Sequence, residues 1–341
     1  MTTRELRVSD RFTRTTSTVH LHGEGETGRG EDVIYETAFH EYPAALLDGL
    51  TGTDTIDEFS AGLEDAMLFE PNQELAVDRR GHRRLPAKRN FRRWALESAA
   101  LDLALRQRDT TLADLLGRSY DPVRFVVSPS NDEQTPAYIE RLIDRVPGVE
   151  LKLNATAEWD PDTIAEIASF DRTRVVDFKS HHDQLGVDPD PELYRTVASG
   201  FADAILEDPV VTPATRSAFD GVEDRVAWDK PIDSVESVAS LPFEPSQVNV
   251  KPSRFGSLRS LFETIEYCRD NDIDLYGGGQ FELGVGREHV HALASLFYPD
   301  APNDVAPSVY NGAGIPDEPI QRPLAPAADL RGLSWRRTPA P

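Results

Sequence analysis

The sequence predicts an α/β protein: a barrel of parallel strands with helices outside, joined to a smaller domain. Three observations predict it. Between residues 148 and 256 a short apolar run ends in charge five times: GVELKLN on Lys152, RVVDFKS on Asp177 and Lys179, AILEDP on Glu207, RVAWDK on Asp229 and Lys230, and SQVNVKPSRFG on Lys251. Roughly 20 to 30 residues separate successive runs, room for one helix and two turns, as βα repetition requires. The 341 residues suit a barrel plus one smaller domain. A parallel strand is buried on both faces, so charge appears where it emerges, and in a closed barrel the C-terminal exits form one site. Three carboxylates and up to four lysines therefore converge there, although they lie far apart in sequence.

Taken in order, RTTSTVHL (14–21) alternates and reads as a strand. GEGETGRG (23–30) reads as a glycine-rich turn and EDVIYET as the second strand of a hairpin. Four acids from Glu24 to Asp32 argue against a phosphate loop and for a mobile hairpin tip. AALLDGL and IDEFSAGLEDAM carry helical patterns, and the basic run 77–93 reads as an exposed loop with a first helical turn. FRRWALESAALDLALR (91–106) is apolar on nearly all sides after Arg93, which predicts a buried helix joining two parts of the structure. TLADLLG ends on a glycine C-cap signal.

The barrel begins at RFVVS (124–128) and alternates helices with the charged strand ends. The loop HHDQLGVDPDPELY after the Asp177 strand is long, and long loops at the site end often cover substrate. From 301 onward proline and glycine are frequent, so the tail reads as wrapping. The expected domains are a cap at 1–120, a barrel at 121–312 and a tail at 313–341 packed on both.

Composition narrows the function. The net charge is −23 with 59 acidic residues spread along the chain, which reads as a solvated surface adapted to high salt. That balance argues against nucleic acid, whose phosphates need basic patches. No run of 18 apolar residues and no signal-peptide core are present, so a cytoplasmic protein without a membrane span is expected. Cys268 is alone, which excludes a disulfide framework and a cysteine-based metal site. Five lysines stand against 31 arginines, and four of the five sit at the strand ends. Lysine, unlike arginine, can lose its proton when buried or crowded by cations, and so can act as a base.

These motifs resemble the enolase superfamily, and within it the muconate-cycloisomerase-like branch. WALESAALDLALRQRDTTLADLLG is similar to that family's cap-to-barrel helix, and ELKLN to its second-strand lysine motif. VVDFKS, ILEDP and VAWDK resemble its three metal-ligand strands, VNVKPSRFGSL its sixth-strand lysine motif, and YGGGQFELGVGR the glycine-rich strand end that follows. The resemblance implies a modified (β/α)7β barrel with an N-terminal α+β capping domain. It implies Asp177, Glu207 and Asp229 as ligands of Mg²⁺, with Mn²⁺ as the alternative, because three carboxylates suit a hard divalent ion. It implies Lys152 and Lys251 as bases flanking a small carboxylic acid whose α-proton is removed. Racemisation, epimerisation, cycloisomerisation or β-elimination would follow; the rival is a catalytically silent acid-binding protein. A homo-oligomer is left open.

The sequence departs from the family pattern in three places. Glu150 stands where lysine is common, on the same strand face as Lys152, within reach of pairing with it and keeping it protonated. Lys179 stands where asparagine is common, and Lys230 where glutamate is common. Lys179 either binds the substrate carboxylate beside the metal or substitutes for the metal. Lys230, Glu282 and His181 are further candidates for substrate contact, with His182 beside the last.

Overall fold

The computed structural model describes residues 1–9, 12–70, 85–181 and 188–336. The chain opens with an antiparallel sheet of β1 (Thr2–Ser9), β2 (Phe12–Gly23) and β3 (Glu26–Asp32), in that order. β1 escapes sequence reading because it is an edge strand exposed over most of its length, with no buried face to impose alternation. The turn between β2 and β3 is only Glu24–Gly25, both at positive φ (53° and 83°), as tight hairpins require.

The glycine-rich stretch is therefore strand rather than a mobile tip, and EDVIYET leaves the sheet after Asp32. Gly28 and Gly30 lie against α3 (Leu85–Gln107). A Cβ on Gly30 would sit 1.9 Å from the Ala95 carbonyl oxygen, and one on Gly28 2.1 Å from that of Ala99. These glycines let a helix backbone rest on a strand backbone.

α1 (Ala44–Gly49) and α2 (Ile56–Glu64) complete the cap. α3 is the buried connecting helix that the sequence predicts. Phe91, Ala95, Leu96 and Ala99 pack in the cap core, while Trp94, Leu101 and Leu105 pack in the barrel core. The basic run is not exposed throughout: Arg92 is buried, pairs with Asp32 at 3.0 Å and donates to the Leu68 carbonyl. Residues 77–84 of the basic run lie outside the described residues. α4 (Leu112–Leu116) carries a capping box from Thr111 and Asp114 and stops at Gly117 with φ 62°.

The barrel strands are β4 (Leu151–Asn154), β5 (Thr173–Asp177), β6 (Ile205–Glu207), β7 (Val226–Trp228), β8 (Gln247–Val250) and β9 (Asp274–Gly277). All pair in parallel and in chain order. Helix α5 (Pro136–Arg145) precedes β4, and α6 (Pro161–Ser169), α7 (Pro191–Gly200), α8 (Val235–Ala239), α9 (Pro252–Phe255), α10 (Leu258–Asp270) and α11 (Val285–Phe297) follow in turn. Single bridges close the ring: Val127 with Leu151, Phe125 with Asn303, and Gly278 with Asp304. Residues 303–304 are thus the last member of the ring, not part of a wrapping tail. Beyond them Leu324 pairs with Val123 and Gly332 with Thr111.

Cap and barrel are locked by buried polar groups. The Glu31 carboxylate accepts from the N–H groups of Leu283 (2.8 Å), Gly284 (3.0 Å) and Gly286 (2.7 Å) at the start of α11. An anion there satisfies the free N–H groups of the helix end. Arg14, also buried, donates to the carbonyls of Val33, Ile34, Gln280 and Phe281. No described helix is long and apolar enough to cross a membrane.

Candidate active site

The carboxyl ends of consecutive strands set the site. Asp177 and Glu207 are the last residues of β5 and β6, Asp229 follows β7, and Lys251 follows β8. Lys152 lies within β4. All five side chains come to one rim and all are buried. The register explains it: in parallel strands of matched stagger, Asn154 pairs with Asp177 and Asp177 with Glu207, so the exits line up.

The ammonium of Lys152 is 2.6 Å from Glu207 Oε1 and 3.3 Å from both Asp177 Oδ2 and Asp304 Oδ2. Lys179 grips Asp177 twice, its N–H on Oδ1 at 2.7 Å and its Nζ on Oδ2 at 2.6 Å. Asp229 receives Arg254 Nη1 on Oδ1 at 2.6 Å and Lys251 Nζ on Oδ2 at 2.9 Å. Tyr276 donates its hydroxyl to Glu207 Oε2 at 2.8 Å. The neighbouring Asp208 accepts the N–H groups of Asp229 (2.8 Å) and Lys230 (3.0 Å).

Charge states follow from these contacts. Burial works against the Lys152 ammonium, but Glu207, Asp304 and Asp177 outweigh it and hold its pKa well above the usual lysine value. Burial works to raise Asp177, yet Lys179 and Lys152 hold its carboxyl well below the usual range. Burial likewise opposes the Asp229 carboxylate, and Arg254 and Lys251 keep it ionised. Glu207 goes the other way: burial, with Asp177 and Asp229 nearby, pushes it up to about 8.

A divalent ion does not fit this arrangement. The donor chemistry of three carboxylates is right. However, both oxygens of Asp177, Glu207 and Asp229 already accept from this chain's own donors, four of which are cationic side chains. Among the described residues no group of three or more His, Cys, Asp or Glu side chains is placed to hold a metal.

A cavity of about 660 Å³ opens at the rim, lined among others by Lys152, Lys179, Asn154, Phe281, Arg287 and Asp304. Lys152 reaches it from within β4. Lys251 does not line it, being turned onto Asp229; Gly278 leaves room for that pose, since a Cβ there would meet Lys251 Cε at 2.5 Å. Glu150 does not pair with Lys152. It precedes β4 and is held by Arg124 at 2.7 Å, Arg174 at 2.9 Å and Arg322.

The other candidates lie less centrally. Lys230 is exposed. Glu282 is buried and accepts the Gln280 N–H at 2.8 Å, bracing its own loop. His181 is exposed, with Nε2 3.3 Å from the Pro209 carbonyl oxygen, and His182 lies outside the described residues. Sequence reading gave no role to Arg254, Asp208, Tyr276 or Asp304. Arg254 had a signal, as the second cation of the Lys251 motif; Asp304 had none, because its ring segment looks like loop.

Two family models match the chain, both described as domains of unknown function: the DUF8230 N-terminal domain over residues 1–115 and the DUF8230 C-terminal domain over 119–312. An o-succinylbenzoate synthase from Listeria innocua is 25% identical over 215 residues, 61% of this chain and 50% of that protein. An N-succinylamino acid racemase from Amycolatopsis is 26% identical over 225 residues, 63% of this chain and 60% of that protein. The chain thus spans about half to three-fifths of the length of these curated relatives. In structure it is similar to a muconate lactonizing enzyme, with a TM-score of 0.62 and 19% identity over 94% of this chain and 89% of that one. At that identity the likeness shows the fold, a capped barrel of the enolase superfamily. With nearly its whole length matched by the two models, the chain belongs to the DUF8230 family, built on the enolase-superfamily fold.

Proposed function

We propose that this protein is an isomerase or lyase that binds a small carboxylic acid in the rim cavity and removes the proton α to the carboxylate. The carrying observation is Lys152: a buried amine opening onto the cavity and 2.6 Å from a carboxyl that is pushed up to about 8. Lys152 rests as an ammonium. It becomes a base when Glu207, 2.6 Å away, is in its carboxylate form and takes the proton, a form that prevails above about pH 8. The freed amine then takes the α-proton, the C–H electron pair enters the carboxylate as an enolate, and the Lys179 ammonium faces the new charge. Return of a proton to the other face, which gives racemisation or epimerisation, requires Lys251 to leave Asp229 and serve as the second acid; loss of a β-substituent gives elimination. The relatives named o-succinylbenzoate synthase and N-succinylamino acid racemase favour an acid with a succinyl-like arm.

A second reading has its own support. Lys152 is surrounded by three carboxylates and Lys251 is committed to Asp229, which suits a silent acid-binding protein. Solvent deuterium exchange into a panel of N-succinyl amino acids and succinylbenzoates decides between them. Exchange lost in Lys152→Ala supports the enzyme. Binding by calorimetry without any exchange supports the silent binder. Exchange that persists undiminished in Lys152→Ala removes Lys152 from the role.

A further inference from the structure

We propose that the Lys179 ammonium, closed onto Asp177, takes from a divalent cation the carboxylate it would need beside Glu207 and Asp229, so that this protein binds its carboxylate substrate without a metal ion. The inference rests on the reading of the rim as an acid-binding site. Its first support is the occupancy of the carboxylate oxygens. An ion bound to Asp177 Oδ2 would share that oxygen with Lys179 Nζ at 2.6 Å and Lys152 Nζ at 3.3 Å. Cations crowded on one oxygen repel strongly in a buried site.

The second support is charge. Five carboxyl groups, the buried Asp177, Glu207, Asp208 and Asp229 and the half-buried Asp304, face the four cations Lys152, Lys179, Lys251 and Arg254. Even with all five ionised, one negative charge is left over, too little to call for a doubly charged ion. Without Lys179 the remainder would be two, which is what a divalent ion neutralises.

The third support is backbone geometry. Lys179 has φ 48°, in the left-handed region that a non-glycine residue seldom adopts. That turn after β5 brings both its N–H and its ammonium back onto the same carboxylate. Lys179 also lines the cavity and is the more exposed of the two lysines there, at 19% against 2% for Lys152. A carboxylate entering the cavity meets the Lys179 ammonium before the buried one. Lys179 therefore supplies to the substrate the positive charge that a metal would supply.

The test is a titration with Mn²⁺ alone. Full-length protein is stripped with EDTA, and free Mn²⁺ is read by electron paramagnetic resonance for the wild type and for Lys179→Asn. The wild type is expected to show no stoichiometric binding tighter than about 1 mM, and K179N to bind about tenfold tighter or more once the like charge is gone. One equivalent bound by the wild type tighter than roughly 0.1 mM overturns the proposal. So does a folded K179N, verified by circular dichroism, that gains no affinity. If K179N does not fold, the wild-type titration decides alone. Calorimetry of the stripped wild type with the carboxylic acids is a separate arm: failure to bind any acid sinks the acid-site reading, whatever Mn²⁺ does.

Discussion

Lys152→Met is the sharpest probe of the site's electrostatics. The side chain is 2% exposed and is the cation shared by Glu207, Asp177 and Asp304. Methionine fills similar space but leaves the carboxylates in place. Breaking one buried ion pair costs about 3–5 kcal/mol. Here Lys179 still holds Asp177, Tyr276 still donates to Glu207, and Ser128 still donates to Asp304 at 2.9 Å. The loss should therefore lie near the lower end, about 3 kcal/mol. The stranded carboxyls can take up protons, Glu207 first because it is already pushed up to about 8. In the variant their folded pKa values stand above their unfolded ones, so the loss is greatest at high pH and shrinks as pH falls. Guanidinium unfolding followed by tryptophan fluorescence at pH 9 and pH 6 measures both effects. K152M combined with Glu207→Gln should recover about 1–2 kcal/mol, since it removes a stranded charge along with the lost partner. A loss below about 0.5 kcal/mol, the range of an ordinary surface substitution, would refute the buried network, as would a loss that grows on acidification.

Three further outcomes are expected. Burial pushes His289 down to about 4 and His291 down to about 3, so both stay neutral in the fold while the unfolded chain protonates them. Their contribution to stability is whole above about pH 6.5 and is lost as pH falls toward 4, at up to about 2.7 kcal/mol per pH unit for the pair. His289→Leu, which removes ring nitrogens that have no hydrogen-bond partner, should halve that slope in acid unfolding curves. Gly30→Ala places a methyl 1.9 Å from the Ala95 carbonyl oxygen, and the helix backbone must shift. A destabilisation of about 1–3 kcal/mol is expected by thermal or guanidinium unfolding. Glu31→Ala leaves the N–H groups of Leu283, Gly284 and Gly286 without their anion. It should cost about 2 kcal/mol or more and speed hydrogen exchange in 283–286, which mass spectrometry resolves.

The parallel fold was legible because its rule is simple. Strands buried on both faces must be apolar, so Asp177, Glu207, Asp229 and Lys251 mark where their runs end, while Lys152 lies inside β4, two residues before its end. The connecting helix was legible because between Trp94 and Leu105 only Glu97, Ser98 and Asp102 are polar, too few for a solvated face. The N-terminal sheet was read less well. β1 has no buried face, and Gly28 and Gly30 carry turn-like composition for a packing reason that resides in α3, some 65 to 70 positions away by count along the chain.

By itself the sequence determined which chemistry could meet at the rim: three acids and a set of lysines, spaced by the period of a βα unit. It could not determine who pairs with whom. Glu150 and Lys152 are two residues apart, yet one is taken by three arginines before the strand begins and the other by carboxylates at the rim. Lys179 turns back onto Asp177 through a left-handed backbone step, and Arg254 reaches Asp229 across strands. Partner choice in a buried cluster depends on distances of 2.6 to 3.3 Å between groups brought together by ring closure. Electrostatic energy at that range is set by geometry that exists only once the barrel has closed.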